Sequence, residues 1–162
     1  MGYSADNVIR CFDADGAFRM QIVRRQGQGA RVTEADRAVF FDGIDRANPG
    51  ERGAQYRAQV RKTTVFAERF PPFGRLVASA VGELWVGPLV AADETLGTLN
   101  PSPPGPTTWS VYTLDGVWLS DVTLPARFRL MDAGRDHVAG ITRDSDDIER
   151  VTVYRLRRGR SD

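Results

Sequence analysis

The sequence predicts a mainly β protein that is built from repeated antiparallel hairpins and interrupted by one short helical insertion. Two internal repeats carry this prediction. Residues 8–18 match residues 108–118 at a constant offset of 100, with aromatic residues and an Asp-Gly turn in register. Residues 71–77 match residues 125–131 at an offset of 54, and each copy leads into a second strand. Hairpins of two kinds therefore alternate along the chain.

Strands are predicted on both sides of the insertion, because short β-rich runs are separated there by turn residues. The first two runs form an N-terminal hairpin, and the remaining ones follow the insertion in close succession. The predicted strands cover residues 8–13, 17–23, 76–80, 83–89, 109–114, 117–124, 128–133, 137–142 and 148–156. Four prolines between residues 91 and 108 indicate a loop in that stretch.

Two helices are predicted within the insertion. Thr33 stands three residues before Asp36, which is the spacing of a capping box at the start of a helix. The first helix is therefore expected over about 34–42. The second is expected over about 51–62, and its thin apolar face is typical of a helix on the surface.

Composition excludes several classes of function. The chain carries 22 basic and 21 acidic residues, and a net charge of +1 does not favour nucleic acid or an anionic membrane as a partner. The single cysteine, Cys11, cannot form an intramolecular disulfide, and we interpret it as a small buried hydrophobe. The N-terminus has no apolar stretch long enough for a signal peptide or a membrane span. We expect a soluble protein, cytoplasmic as the chain stands and exported if a leader precedes it.

One hairpin of each kind makes a four-stranded antiparallel sheet of about 50 residues, which is the size and pattern of a β-propeller blade. The chain resembles the six-bladed β-propellers of the NHL and TolB-like type found in many bacteria. The resemblance covers nearly the whole chain. The motifs that carry it are Phe73-Gly74-Arg75-Leu76, Gly82-Glu83-Leu84-Trp85-Val86, Trp109-Ser110-Val111-Tyr112 with Asp115-Gly116, and Val151-Thr152-Val153-Tyr154-Arg155-Leu156.

The resemblance implies one partial propeller domain over residues 1–162, with about two and a half blades. Residues 8–24 would form the outer hairpin of one blade. Residues 33–68 would form a helical insertion, which similar proteins also carry between blades. Residues 75–124 would form a complete blade, and residues 128–156 three strands of the last blade.

An incomplete ring of blades leaves an apolar sheet face uncovered at each end. The residues expected on these faces are Val8, Ile9, Phe12, Leu130, Met131, Val151 and Val153. We therefore expect either self-association or completion by the missing blades of a longer protein. In an alternative arrangement, the N-terminal hairpin completes the last blade within the same chain and leaves a two-bladed, sandwich-like body.

Candidate chemical groups are few. His137 follows Asp136, but no Gly-x-Ser-x-Gly elbow accompanies the pair, so we interpret the histidine as part of a surface turn. The densest set of oxygen ligands is a weak candidate for a calcium site, although flanking arginines favour a solvated turn instead. These metal candidates are Asp144, Asp146, Asp147 and Glu149. The three tryptophans, Trp85, Trp109 and Trp118, are expected to pack between blades.

The sequence thus favours a non-catalytic binding or scaffold module that takes a protein or a small molecule as its ligand and needs no cofactor. One alternative is a metal-dependent hydrolase resembling the propeller lactonases, which hold their metal with Glu, Asn and Asp at the inner ends of strands. None of Asn7, Asn48 and Asn100 lies on a predicted inner strand. A further alternative is an inactive fragment of a longer propeller protein.

Overall fold

The structure is a computed structural model that describes residues 2–3, 7–24, 29–89, 103–146 and 148–157. The predicted mainly β class is confirmed, because the strands form three antiparallel sheets and two helices lie between the first and second sheets along the chain. Within the described residues no sheet closes into a barrel. Nor does this part of the chain contain a helix with the length and hydrophobicity needed to cross a membrane.

Each sheet is formed by strands that are consecutive in the sequence. The N-terminal sheet consists of β1 (Gly2–Tyr3), β2 (Val8–Phe12) and β3 (Phe18–Val23). The central sheet is a four-stranded meander of β4 (Arg75–Ala78), β5 (Glu83–Gly87), β6 (Thr107–Thr113) and β7 (Trp118–Leu124). The C-terminal sheet consists of β8 (Phe128–Ala133), β9 (His137–Arg143) and β10 (Glu149–Arg155). Most of the loop predicted before β6 lies outside the described residues, namely 90–102.

The central sheet is covered on both faces, and β5 is buried along its whole length. Because successive side chains of a strand point to opposite faces, Trp85 and Leu84 belong to two separate apolar clusters. The cluster toward the C-terminal sheet contains Val77, Trp85, Trp109, Val111, Leu124, Phe128, Leu130, Ala133 and Val138. The cluster toward the N-terminal sheet contains Ile9, Ile22, Phe73, Leu84 and Val86.

Strand alternation corrects the prediction of which residues lie on open faces. Ile9 and Leu130 were expected there but are buried. Ile9 lies opposite Ile22 on the side that packs against the central sheet, and Leu130 lies opposite Gly140 on the corresponding side of the C-terminal sheet. Val8 is half-buried. The other four residues expected on open faces are exposed, namely Phe12, Met131, Val151 and Val153.

The two-bladed alternative is wrong. The N-terminal strands pair with one another, and their apolar side packs on the central sheet. In the part of the chain that the structure describes, β10 pairs only with β9. The N-terminal hairpin therefore adds no strand to the C-terminal sheet.

The helices lie in a helical hairpin, residues 29–70. Helix α1 (Glu34–Ala47) begins at the capping box formed by Thr33 and Asp36, as predicted. It continues beyond the predicted end because Gly43 and Ile44 are buried, and this burial offsets the helix cost of a glycine, about 1 kcal/mol. Helix α2 (Gly50–Thr63) buries no residue, which confirms its surface position.

Candidate functional site

A small cleft, open to solvent, lies where the central and C-terminal sheets meet. The two strands at this seam, β4 and β8, are each the end strand of their sheet, and they contact one another. The wall is mostly apolar and carries two arginines. Its lining residues are Arg75, Pro88, Pro103, Thr107, Trp109, Phe128, Arg129 and Leu130.

Two glycines make room for the aromatic rings of this wall. A Cβ atom on Gly87 would lie 2.8 Å from the ring of Trp109, and one on Gly140 would lie 2.6 Å from the ring of Phe128. The indole Nε1 of Trp109 donates a hydrogen bond to Oγ1 of Thr107 at 3.1 Å. The rings are therefore held in place by close packing, and by a hydrogen bond in the case of Trp109.

Arg75 is a half-buried cation in this wall. Its guanidinium contacts the sulfur of Met131 at 3.4 Å, and no ion pair with Arg75 is found among the residues that the structure describes. Burial lowers the pKa of Arg75 below its ordinary value, and the positive charge of Arg129 lowers it further. A positive potential therefore exists at the cleft.

The second arginine is partly neutralised. A guanidinium nitrogen of Arg129 lies 3.5 Å from a carboxylate oxygen of Glu149, and its side chain is 13% exposed. Sequence reasoning singled out neither arginine. A signal was nevertheless present, because the repeat with an offset of 54 aligns Arg75 with Arg129.

Asp144, one of the residues proposed as calcium ligands, is engaged within its own turn. Oδ1 of Asp144 accepts hydrogen bonds from the backbone N–H groups of Asp146 and Ile148 at 3.1 and 2.9 Å. Oδ2 of Asp144 pairs with Arg150 at 3.3 Å. The bond from Ile148 is the main cause that lowers the pKa of Asp144.

A second candidate, Glu149, is engaged by two arginines. Glu149 pairs with Arg143 at 2.9 Å in addition to its contact with Arg129. Asp147 lies outside the described residues. No group of three or more His, Cys, Asp or Glu side chains in the described ranges is placed to hold a metal ion.

The other candidate groups occupy ordinary structural positions. His137 is half-exposed at the start of β9, and its Nδ1 lies 3.1 Å from Oδ1 of Asp136, which lowers the pKa of Asp136. Cys11 is half-buried beside the cluster between the N-terminal and central sheets. Asn7 and Asn48 lie outside the strands, and Asn100 is not among the described residues.

Two of the three tryptophans are buried between sheets. Trp85 and Trp109 are buried between the central and C-terminal sheets. The prediction is wrong for Trp118, which is 56% exposed. It begins the end strand β7, next to an irregularity in the pairing of β6 with β7, and its Nε1 donates to Asp121 at 3.3 Å.

The two ends of the stack carry exposed apolar pairs. On the outer side of the C-terminal sheet, Val151 and Val153 are 82% and 61% exposed, and Val151 lies opposite Ile141. On the outer side of the N-terminal sheet, the half-buried Val8 lies opposite Val23, which is 57% exposed. These two surfaces are the C-terminal open face (Ile141, Val151, Val153) and the N-terminal open face (Val8, Val23).

These features define a protein of three face-to-face antiparallel sheets, with a small open cleft at one seam and exposed apolar residues at each end. Comparison with protein-family models, with curated proteins and with solved structures finds no match to this chain.

Proposed function

We propose that the chain is a non-catalytic binding or scaffold module of the β-propeller type, in which a second copy supplies the sheets that one chain lacks. The observation that carries the proposal is the burial of both faces of the central sheet. In a two-layer sandwich each sheet buries one face, whereas a ring of stacked blades buries both faces of every blade. The central sheet, within residues 75–124, would be the complete blade.

The repeats support treating the outer sheets as incomplete blades. At an offset of 100, β2 and β3 align with β6 and β7. At an offset of 54, β4 and β5 align with β8 and β9. In the described residues the N-terminal sheet thus has no counterpart of β4, and the C-terminal sheet has no counterpart of β7.

Two features favour a second copy, namely the number of sheets in one chain and the open faces at the two ends of the stack. One chain stacks three sheets, so two chains arranged head to tail would stack six, the blade number of the family that the sequence resembles. In a closed two-fold assembly, the C-terminal open face of each copy would cover the N-terminal open face of the other. Each surface contains a cross-strand pair of β-branched residues, Val151 with Ile141 and Val8 with Val23, and apolar contacts also fill the interfaces within the chain.

The assembly is tested by light scattering on the size-fractionated protein over a range of concentrations. We expect a mass of twice the chain mass of 17.9 kDa. The double variant Val151→Arg, Val153→Arg is expected to have the single-chain mass, because two charges would be buried without partners at the contact. Both side chains are exposed in the single chain, so the substitutions leave its fold intact.

Val65→Arg is the matched control. Val65 is 92% exposed and lies outside all three sheets, so this variant is expected to keep the double mass. A wild-type protein with the single-chain mass at every concentration would contradict the second copy and favour the missing blades of a longer protein. Retention of the double mass by the arginine double variant would also contradict it.

A further inference from the structure

We propose that β10 binds an extended, acidic segment of another protein, which adds to the C-terminal sheet as a fourth strand antiparallel to β10. The inference rests on the proposed binding role and deepens it, because it names the class of protein ligand. It does not rest on the second copy, which would cover the faces of the outer sheets and leave their edges open.

The edge of β10 is well formed for pairing with a further strand. All seven residues of β10 pair with β9 in one unbroken register, and within the described ranges no strand lies on the other side of β10. The central segment Val151-Thr152-Val153 contains no charge, proline or glycine. Such an edge presents a row of backbone N–H and C=O groups to which another chain can bind.

The other long end strands are less suited to this role. The pairing of β3 with β2 shifts register between Cys11 and Phe12, and the pairing of β7 with β6 shifts between Val111 and Tyr112. The pairing of β8 with β9 is also irregular, and β8 contacts β4 of the central sheet. Irregular pairing bends and twists an edge strand, which opposes the addition of a further strand.

The internal repeat supplies the direction of the added strand. Val153-Tyr154-Arg155-Leu156 matches Val111-Tyr112-Thr113-Leu114 at an offset of 42, so β10 corresponds to β6. On the side away from β5, β6 carries β7 in antiparallel pairing. The corresponding side of β10, away from β9, carries no strand in the part of the chain that the structure describes. A segment bound there would therefore run antiparallel to β10, as β7 does beside β6.

The charges of β10 favour an acidic ligand. The carboxylate of Glu149 is already paired with Arg143 at 2.9 Å. Arg150 pairs with Asp144 but its side chain is still 67% exposed. Arg155 is exposed, and no ion pair with it is found among the described residues. Cations thus flank the uncharged centre of the edge, and carboxylates placed opposite them would be attracted.

The centre of β10 favours β-branched residues in the ligand. Val151 and Val153 lie on one face of the strand and are 82% and 61% exposed, and Thr152 lies between them on the other face. Cross-strand neighbours of the same kind stabilise such pairs. The ligand class is therefore an extended segment that alternates valine with threonine and carries an acidic residue at each end.

The probe is a hexapeptide with blocked ends and the sequence Glu-Thr-Val-Thr-Val-Glu. In antiparallel register its glutamates lie opposite Arg155 and Arg150, and its valines lie opposite Val153 and Val151. A titration followed by the amide resonances of β10 in the full chain gives the affinity, and hydrogen exchange identifies the protected amides. We expect slower exchange of the β10 amides that point away from β9, with the amides of β7 unchanged.

Two control peptides separate backbone pairing from attraction between charges. The peptide with lysine in place of both glutamates is expected to bind roughly tenfold more weakly, because attraction at both ends becomes repulsion. Two further versions carry N-methyl groups on alternate amides, one on the odd and one on the even positions. Alternate N–H groups of a strand point to opposite edges, so one version should bind and the other should not.

Arg155→Gln is expected to weaken binding of the acidic peptide roughly twofold, because it removes one exposed charge pair. Arg19→Gln is the matched control, because Arg19 is an exposed arginine on the end strand β3, and it should leave the affinity unchanged. Equal affinity for the acidic and basic peptides, or for the two methylated versions, would overturn the inference. So would protection of the outward amides of β10 before peptide is added, because the edge would then already hold a partner such as β10 of a second copy.

Failure of this inference and failure of the assembly are distinguishable. A protein of single-chain mass that binds one peptide per chain at β10 retains the strand addition and loses the second copy. A protein of double mass whose β10 amides do not respond to the peptide retains the assembly and loses the strand addition.

Discussion

The helical hairpin and the stack of sheets are stabilised in different ways. The hairpin is held by local polar contacts. Backbone hydrogen bonds join Val32 to Glu68 and Phe70 to Ala30, and both terminal nitrogens of Arg61 bind the carboxylate of Asp45 at 2.9 and 2.6 Å. The stack is held by apolar residues from distant parts of the chain, buried between three sheets.

The hairpin also has a small aromatic centre of its own. The rings of Phe40, Phe41 and Phe66 meet edge to face with centroids 5.4 to 5.6 Å apart. Arg37 and Arg61 lie over two of these rings. The difference teaches that a helical unit can be inserted between two sheets when it supplies its own contacts, whereas each sheet needs its neighbours.

The largest effect is expected from removing a ring that the stack buries. Trp85→Ala should lower the free energy of unfolding by about 3–5 kcal/mol, because it leaves a cavity between the central and C-terminal sheets. Chemical denaturation followed by circular dichroism measures the change. Trp118→Ala is the control, and because Trp118 is largely exposed we expect a change within about 0.5 kcal/mol. Equal losses for both variants would contradict the placement of the core.

A smaller and local effect is expected in the hairpin. Thr33→Ala removes the hydroxyl that accepts from the backbone N–H of Asp36 at 3.3 Å, and loss of such a cap costs about 1 kcal/mol. Hydrogen exchange should show faster opening of α1, with the amides of β5 and β6 unchanged. Thr33→Ser keeps the hydroxyl and should restore protection. Equal acceleration in the central sheet would show that the hairpin and the stack open together.

The smallest effect is expected from acid. The hydrogen bond from Arg61 lowers the pKa of Asp45, and the hydrogen bond from Thr33 lowers the pKa of Asp36. A carboxylate whose pKa is lowered in the folded state stabilises the fold. This contribution is fully present above the ordinary pKa of 3.8 and is lost as the pH falls through the pKa of the folded state. Amides of the hairpin should therefore lose protection below about pH 3.8 before those of the buried strand β5. The turns at Asp115, Asp136 and Asp144 are left out of the comparison, because the pKa values of these carboxylates are lowered as well.

Asp45→Asn is the matched variant for this measurement, because it removes one titrating group and keeps the shape of the side chain. Its hairpin should be less protected than the wild type near neutral pH and should change less on acidification. Loss of protection in both regions at the same pH would contradict separate stabilisation.

Local patterns were sufficient for most of the secondary structure. The run at 128–133 was predicted as a strand and is β8, and the capping box placed the start of α1 at Glu34. The two-residue strand β1 was missed, because two residues carry no alternation. Trp118 was misplaced, because an apolar run cannot distinguish a strand between two sheets from an end strand.

The candidate site was much less predictable. Arg75 and Arg129 occupy equivalent positions of a repeat, but a repeat does not say that two strands meet at a seam. In the acidic cluster, which was a weak metal candidate, Asp144 is engaged by backbone N–H groups and Arg150, and Glu149 by Arg143. Whether a charged side chain has a counterion depends on which side chains other segments of the chain bring near it. The linear sequence does not contain the distances between such segments.

The sequence by itself determined the elements, the turns that join them and the repeat that makes the sheets alike, because these depend on residues near one another along the chain. Only the tertiary structure decided that the central sheet is covered on both faces and that Leu130 is buried while Val151 is open. It also decided that two arginines 54 positions apart share one cleft. Burial and electrostatic potential are properties of packed surfaces, and they arise when distant segments are brought together.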